Sequence, residues 1–469
     1  MLKRFELSNI KNFKDKFVMD LSDVHDYQFN LQCIKNGIVK DAIIYGKNSV
    51  GKSNFGMALF DIVYALTDLE CGFYLKKSEN SFINADNKLC DSGEFVYYFQ
   101  FDGSTICFKY RKRSISDIID EQLIIDNELI YSIGEQNVQL SNLSKIGVEN
   151  ISLEFYDSSI SFFRYLVKNS YLPDNSIVKK MYRFIMGMQW VRSFENNQLI
   201  PIRDAGTVAT FLVKNNLVED YSNFMKEFGI PNELRIEERA DGRRSLYDVH
   251  NNTNIDWFLT ASSGTLSLTS LYYAINCYKD ISFLWLDEFD AFYHFELSEK
   301  VMNYLSKNKM FQVVCASHNT GIMSNRILRP DCYFILSRKR LTSLPNATTR
   351  ELREGHNKDV YGSVKKCVQE IDAQFAGNRY YEYCYQANYR KIVKSERTFK
   401  YISEYANINK IKKILLAYKL FYVGCSRVKK ELTVFVSADK VKSYKQQFID
   451  TFSKMEFEVC ECKMGLPKN

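Results

Sequence analysis

The sequence predicts an α/β fold with a mixed sheet, an antiparallel β layer, a helical insertion and an α-rich C-terminal tail. Two apolar runs, residues 42–45 and 283–286, are short and continuous, as in strands buried within a parallel sheet. Helical patterns of apolar residues lie next to both runs. Segments of alternating character between residues 94 and 133 predict antiparallel strands beside the parallel ones.

The first strands and the first helix follow from simple periodicities. Apolar residues with a period of two predict a strand pair that turns at Asn12-Phe13, namely Leu2, Phe5, Leu7, Phe17, Met19 and Leu21. The run 42–45 ends at Gly46, and a helical stripe follows it, made of Phe55, Leu59, Ile62, Val63 and Leu66. This order predicts a strand, a glycine turn and a helix packed on a sheet.

The middle of the chain alternates between strand and helix patterns. Residues 94–102, 105–110 and 122–131 predict strands, with a turn at Asp102-Gly103. Residues 155–230 predict helices, because apolar residues recur on common faces: Phe162, Phe163, Tyr165, Leu166, Met181, Phe184, Ile185 and Met188. Strands are expected again at 233–260, followed by helix, strand, helix and strand to about residue 340. After residue 365 the chain is basic and helical, with a strand at 432–436 and a helix at 440–454.

Composition excludes several classes of protein. The chain has 469 residues, of which 46% are hydrophobic and 25% charged, so it can bury sizeable cores. No segment approaches the roughly 18 uncharged apolar residues of a membrane span, and the first residues lack a signal-peptide core, so we expect a cytoplasmic location. The twelve cysteines are scattered, so we expect no disulfides and no metal cluster. A net charge of +7 is only a weak indication of nucleic-acid contact.

Residues 46–53, GKNSVGKS, form a phosphate-binding pattern between a predicted strand and a predicted helix. Gly46, Asn48 and Gly51 belong to the loop whose N–H groups would wrap phosphates at a helix N-terminus. Lys52 would reach the β and γ oxygens, and the Ser53 hydroxyl would bind Mg²⁺, while Asn54 follows in the first helical turn. A chance turn before a core helix is the alternative.

A second motif places two carboxylates at the end of an apolar strand. Asp287 and Glu288 follow the run 283–286 directly. In phosphoryl transfer, Asp287 would hold Mg²⁺ and Glu288 would orient the attacking water. The alternative is an Asp-Glu cap at a helix N-terminus.

Two more motifs flank this strand. Ser262, Ser263 and Gly264 precede a helix and present N–H groups and hydroxyls that suit an anion, although taken alone an ordinary N-cap is the better explanation. Downstream, the apolar run 313–316 ends in Ser317 and His318.

The order of these four motifs resembles the ABC-type ATPase heads of RecF, SMC and OLD-family proteins over about residues 1–365. The opening NIKNFKDKFVMDLS, residues 9–22, also resembles the start of RecF-like and SMC-like heads. The resemblance implies an ABC-type P-loop NTPase head that hydrolyses ATP with Mg²⁺. Lys52, Glu288 and His318 would be catalytic, with His318 as the switch histidine and Asp290 in the D-loop. Ser262-Ser263-Gly264 would be the signature that reaches ATP bound to the opposite subunit of a homodimer or a higher assembly of dimers.

This resemblance divides the chain into four predicted parts. Residues 1–140 form the N-terminal part of the ATPase head, and 141–232 form a helical insertion. Residues 233–365 complete the head with the signature, the two carboxylates and His318. Residues 366–469 form a basic helical tail. No sustained heptad is present, so no long coiled coil is predicted.

The tail carries its own local resemblance. Residues 420–432, LFYVGCSRVKKEL, resemble the last motif of UvrD-like helicases, in which an arginine, here Arg427, stabilises the γ-phosphate. A helicase remnant, a partner-docking module and coincidence all remain open. The tail has no Asp-x-Asp pair, so we expect no TOPRIM nuclease within this chain.

The expected function follows from the head. The short head with its compact insertion, the Ser-Ser-Gly-Thr form at 262–265 and residues 353–357 most resemble anti-phage ATPases such as the Septu and PARIS subunits. We therefore expect the sensor ATPase of a bacterial defence system that controls a separately encoded effector, expected to be a nuclease. The alternative is a RecF-like or SMC-like repair clamp that binds duplex DNA. A head that binds ATP as a structural ligand without turnover is a further alternative.

Overall fold

The fold is built on two seven-stranded sheets that enclose a helix between them. The computed structural model describes residues 1–47, 49–69, 82–87, 90–135, 137–148, 151–192, 198–201, 207–230, 232–238, 244–250, 253–318 and 322–347. All of these residues belong to one compact unit, Met1–Gly377. Among the described helices, none is long and apolar enough to cross a lipid bilayer.

The elements are numbered in chain order. The strands are β1 (Leu2–Ser8), β2 (Phe17–Asp20), β3 (Ile34–Lys35), β4 (Ile38–Val39), β5 (Asp41–Tyr45), β6 (Gly93–Phe101), β7 (Ser104–Lys112), β8 (Ile118–Ile125), β9 (Glu128–Gly134), β10 (Asn137–Leu140), β11 (Met188–Arg192), β12 (Gln198–Ile200), β13 (Leu234–Glu238), β14 (Arg244–Val249), β15 (Asn254–Asp256), β16 (Phe283–Asp287), β17 (Gln312–Ser317), β18 (Tyr333–Leu336) and β19 (Leu341–Ser343). The helices are α1 (Lys52–Leu66), α2 (Phe162–Asn169), α3 (Ile177–Met186), α4 (Val208–Lys214), α5 (Val218–Glu227), α6 (Trp257–Thr260), α7 (Ser263–Asn276), α8 (Phe295–Asn308) and α9 (Leu344–Ala347).

The first sheet is parallel except at its edges and has the order β12-β11-β16-β17-β5-β18-β19. Strands β11, β16, β17, β5 and β18 run in one direction, and β12 and β19 are antiparallel edge strands. Every residue of β5 and β16 is buried, as expected for central strands covered on both faces. The buried parallel strands predicted at 42–45 and 283–286 are confirmed.

The second sheet is antiparallel and has the order β10-β9-β8-β7-β6-β1-β2. The predicted N-terminal strand pair is confirmed, with Phe5 opposite Met19. A separate antiparallel sheet, β13-β14-β15, occupies the region where strands were expected at 233–260. The mixed α/β fold class predicted from the sequence is therefore the observed one.

Helix α1 fills the space between the two large sheets. Towards the parallel sheet, a Cβ added to Gly56 would lie 2.6 Å from the ring of Trp285 on β16. Towards the antiparallel sheet, the Tyr97 hydroxyl donates to the carbonyl of Ala58 over 2.9 Å. A helix that is apolar on nearly all sides is stable only when it is covered on all sides. The position of α1 fixes where its N-terminus, and thus the loop before it, meets the sheet.

Two parts of the region predicted to be helical at 155–230 are in fact strands, β11 and β12. Met188 was expected on a helical face with Phe184, but Met188–Arg192 forms β11, in the parallel sheet beside β16. The four residues Met188–Val191 are all buried. A fully buried strand forms a continuous apolar run, and periodicity alone cannot distinguish such a run from a buried helix.

The strand predicted at 122–131 is two strands. β8 and β9 are joined by Asp126-Asn127, both with positive φ (52° and 65°). Asp and Asn tolerate this left-handed conformation better than other non-glycine residues, and two such residues form a tight hairpin turn.

Several predictions lie outside the described residues. They are the helical tail at 366–469, the strand at 432–436, the helix at 440–454, the helicase-like segment with Arg427, and residues 353–357.

Candidate functional site

The predicted phosphate loop connects the carboxyl end of β5 to the N-terminus of α1. Gly46 lies so close to β18 that an added Cβ would be 2.9 Å from the carbonyl oxygen of Leu336. Gly51, the N-cap of α1, has φ +104°, a conformation that a side chain would strain. Both glycines of the motif are therefore required by the backbone path of the loop. Asn48, the other predicted loop contact, lies outside the described residues.

Lys52 points back into this loop. Its ammonium donates to the carbonyls of Gly46 over 2.8 Å and Lys47 over 3.2 Å, and the side chain is 5% exposed. Burial lowers the pKa of Lys52, whereas the nearby carboxylates of Glu288 and Asp287 act in the opposite direction. The lysine is thus held where the loop would enclose an anion, with the carboxylates close by.

Parallel pairing brings Asp287 to the same edge of the sheet as the loop. Asp287 ends β16, and the order β16-β17-β5 places that end two strands from the end of β5. Asp287 is 4% exposed, and burial raises its pKa to about 6, while the neighbouring Ser53 hydroxyl and Arg192 guanidinium act against the rise. Oδ1 of Asp287 has no hydrogen-bond partner among the described residues.

These observations fit a magnesium site. A buried carboxylate oxygen without a donor is costly, and a hydroxyl beside a carboxylate is a pair of hard oxygen ligands that Mg²⁺ accepts together with phosphate and water. Ser53 and Asp287 are the residues that would hold the ion.

Glu288 follows directly and has an unusual backbone conformation. Its φ is +51°, in the left-handed region that non-glycine residues rarely adopt. The side chain is half-buried and close enough to Lys52 to oppose the lowering of the lysine pKa by burial. Such strain is common where a side chain must be aimed at a reacting group.

Asp290 is buried rather than on the surface. It is 7% exposed, and its Oδ2 accepts a 2.8 Å hydrogen bond from Ser317 at the end of β17. Burial raises the pKa of Asp290, and the nearby His318 and Lys52 act against this rise. His318 itself is exposed at the edge where Lys52 and Asp287 meet. The structure therefore brings Lys52, Asp287, Asp290 and His318 together, with Asp290 bonded to the strand that carries His318.

The predicted signature begins α7. Ser262 and Ser263 are exposed, and the Ser262 hydroxyl caps the helix by accepting from the N–H of Thr265 over 3.2 Å. Gly264 lies against the loop after β16, since an added Cβ would be 3.1 Å from the carbonyl of Phe292. The Ser262 hydroxyl is also hydrogen-bonded to the Thr265 hydroxyl over 2.9 Å.

Two residues at the site were missed by the sequence analysis. Asn12, at the tip of the N-terminal strand pair, donates to the carbonyl of Val50 over 2.8 Å and accepts from the Asn54 amide over 2.7 Å. Arg192 ends β11, and its Nε lies 3.8 Å from Oδ2 of Asp287. The apolar run before Arg192 was the available signal for a strand end, but it was assigned to a helix. For Asn12 the sequence contained no signal, because its partners lie more than thirty-five residues away.

Part of the chain matches a known protein family. Residues 42–324, more than half of the chain, match the family model described as AAA domain, putative AbiEii toxin, Type IV TA system. No curated protein matches the chain.

Solved structures of SMC heads are among those that match this chain. The SMC head domain from Thermotoga maritima has 14% identity and a TM-score of 0.38, and the match covers 73% of this chain and 98% of that chain. An SMC head bound to the C-winged helix domain of ScpA has 16% identity and a TM-score of 0.41, with 74% and 98% covered. An SMC head with an extended coiled coil from Pyrococcus furiosus, bound to the C-terminal domain of ScpA, has 15% identity and a TM-score of 0.39, with 78% and 99% covered. At these values the likeness carries no inference about activity. The family match, which spans the loop at 46–53, Asp287, Glu288 and His318, is the stronger result: the chain belongs to this family of AAA domains.

Proposed function

We propose that the protein is an ATP-hydrolysing switch that closes on ATP as a dimer. The observation that carries this proposal is the meeting of a phosphate loop, the buried Asp287 with one oxygen lacking a donor, Glu288 and His318 at one edge of the parallel sheet. Membership of an AAA family supports nucleotide binding and NTPase activity.

Each residue has a role that its position supports. The loop N–H groups and Lys52 would bind the β- and γ-phosphates, and Lys52 would exchange its bonds to Gly46 and Lys47 for phosphate oxygens. Ser53 and Asp287 would hold Mg²⁺, which would neutralise part of the phosphate charge. Glu288 would orient the attacking water and His318 would hydrogen-bond the γ-phosphate.

A dimer is proposed because the first residues of the signature are exposed. Ser262 and Ser263 are exposed at the start of α7, while Gly264 packs on Phe292. Phosphoryl transfer depends on positioning and on charge stabilisation from all sides of the γ-phosphate. The signature of a second copy, or of further dimers in a higher assembly, would supply the open side.

For the biological role, we propose the sensor ATPase of an anti-phage defence system that controls a separately encoded effector nuclease. The description of the matching family as a putative toxin of a toxin–antitoxin system supports a chain that works beside a separately encoded partner. The four-part domain division belongs to the same proposal, except that the part at 141–232 is not purely a helical insertion, because its strand β11 pairs with β16 in the parallel sheet.

The test is ATP turnover together with mass in solution, for the wild type and Lys52→Ala, each co-expressed with the neighbouring gene. Turnover that depends on Lys52, in a dimer or a multiple of dimers that retains the partner, is the expected result. ATP-dependent and salt-dependent binding of duplex DNA without a retained partner would instead support a RecF-like clamp. A monomer with full turnover would refute the dimer.

A further inference from the structure

Arg192 occupies a place at the site that none of the predicted motifs covers. It is the last residue of β11, and the parallel register pairs it with Asp287 on the neighbouring strand β16. Because parallel strands end at the same edge of a sheet, Arg192 lies at the edge that carries the phosphate loop. Its side chain is 13% exposed, so the guanidinium is largely removed from solvent.

The side chain is on the same face of the sheet as α1. Alternation along a strand puts Trp190 and Arg192 on one face. Trp190 packs against Phe60 of α1 with 5.6 Å between ring centroids, and the Arg192 guanidinium carbon lies 5.5 Å from the Trp190 ring centroid. The N-terminus of α1 carries Lys52 and Ser53, so Arg192 faces the region where phosphates would lie.

The contact between Arg192 and Asp287 is electrostatic rather than a forked hydrogen bond. The Nε to Oδ2 distance is 3.8 Å, beyond hydrogen-bonding range. Guanidinium groups bind carboxylates and phosphates best through two short parallel bonds. A phosphate oxygen near Asp287 would therefore be a better partner for this guanidinium than Asp287 is.

The sheet order selects which phosphate Arg192 can reach. Strands are spaced by roughly 4.8 Å, and β11 is three strands from β5 but only one from β16. The loop after β5 would hold the inner phosphates, while the terminal phosphate would extend towards Asp287. ADP lacks that phosphate and would not offer Arg192 this contact.

We propose that Arg192 contacts the γ-phosphate and makes the site distinguish ATP from ADP. This inference rests on the proposed ATP-binding function. Arg192 is thus a specificity-determining residue, and its effect is on which nucleotide stabilises the bound state.

The experiment is calorimetric titration of the full chain with Mg²⁺ and either AMP-PNP or ADP. In Arg192→Ala we expect AMP-PNP affinity to fall at least about tenfold, as for loss of one charge-assisted contact, with ADP affinity changed less than about threefold. If Arg192→Ala does not fold, Arg192→Gln replaces it, because glutamine removes the charge but keeps a polar side chain. The same changes in affinity are expected for this variant. The matched control is Arg183→Ala, an exposed arginine on α3 that pairs with Asp174, for which both affinities should equal the wild type.

The outcomes separate the two proposals. Equal losses for AMP-PNP and ADP, or no loss for either, would overturn the role of Arg192 while leaving ATP binding intact. A wild type that binds neither nucleotide, or a Lys52→Ala variant that binds both as tightly as the wild type, would overturn the proposed function and this inference with it.

Discussion

Ser317 donates a 2.8 Å hydrogen bond to Asp290, and this bond joins the strand that ends next to His318 to the loop that follows Glu288. Both residues are buried, and Oδ1 of Asp290 has no hydrogen-bond partner among the described residues, so Ser317 is an important partner of that carboxylate. The bond therefore holds two proposed catalytic groups, from separate segments of the chain, in one arrangement.

Ser317→Ala should reduce both stability and turnover. Removing the hydroxyl leaves a buried carboxylate with one partner fewer, which costs about 1–3 kcal/mol, and lets His318 shift relative to Glu288. We expect ATP turnover to fall by roughly tenfold. Ser245→Ala is the matched control, since Ser245 makes a buried 2.8 Å bond to Asp256 in the three-stranded sheet. Urea unfolding should show similar losses of unfolding free energy for the two variants, and steady-state turnover should fall only in Ser317→Ala. Equal turnover in the two variants would contradict the role proposed for the Ser317–Asp290 bond.

Glu288→Gln should separate binding from hydrolysis. Glutamine keeps the shape of the side chain but cannot accept a proton, so turnover should fall at least about 100-fold while nucleotide binding persists. With ATP present, light scattering after size exclusion should detect a stable dimer that the wild type forms only transiently. A variant with unchanged turnover and no ATP-dependent dimer would refute the role assigned to Glu288.

Asn12→Ala should weaken nucleotide binding without touching the reacting groups. Asn12 bonds to Val50 and Asn54 on either side of Gly51, so its loss frees the loop to adopt other conformations. Two hydrogen bonds of about 1 kcal/mol each predict a rise in Kd for AMP-PNP of roughly tenfold or more. Asn142→Ala, at the outer edge of the antiparallel sheet, is the control. Identical Kd values for the two variants would contradict the positioning role.

The ion pair between Asp61 of α1 and Lys112 of β7 should be a major determinant of stability. Lys112 is fully buried and donates to both oxygens of Asp61, over 2.9 and 3.0 Å, and Tyr110 donates to the same carboxylate over 2.8 Å. Lys112→Met leaves the buried Asp61 carboxylate without its cation, which should lower the free energy of unfolding by about 3–5 kcal/mol. Urea unfolding should show a smaller loss for Asp61→Asn combined with Lys112→Met. Lys109→Met, which breaks the exposed pair with Glu94, should cost less than about 1 kcal/mol.

Glu121 should make stability depend on pH. Burial raises the pKa of Glu121 from 4.5 to about 6, although Tyr131 and the N–H of Phe163 donate to its carboxylate. The native state therefore holds the proton more tightly than the unfolded state, and this contribution is present below pH 4.5 and lost as pH rises through about 6.

Glu121→Gln does not titrate, so its stability relative to the wild type should rise by about 2 kcal/mol from acidic to neutral pH. Urea unfolding of both proteins across this pH range measures the difference. Glu128→Gln, which removes an exposed carboxylate paired with Lys145, is the control. A constant difference for Glu121→Gln would show that the carboxylate titrates alike in both states.

The sequence by itself determined the local parts of the site. The loop with Gly46, Gly51 and Lys52 was recognisable because a phosphate loop needs fixed residue types at fixed spacing between a strand and a helix. Asp287 and Glu288 were recognisable because an apolar run ended in them. Short-range periodicity also predicted β1, β2, β5 and α1, whose apolar faces are set by neighbours in the chain.

Only the tertiary structure decided which distant residues complete the site. Asn12 meets Val50, Arg192 meets Asp287 and Asp290 meets Ser317 through pairings between segments far apart in sequence. Strand β11 was mistaken for helix because its burial on both faces removes the alternation that marks a strand. The periodicity of apolar residues predicts which face of a strand or helix is buried. Which distant residue that face contacts depends on the order of the strands, and this order is a property of the whole sheet.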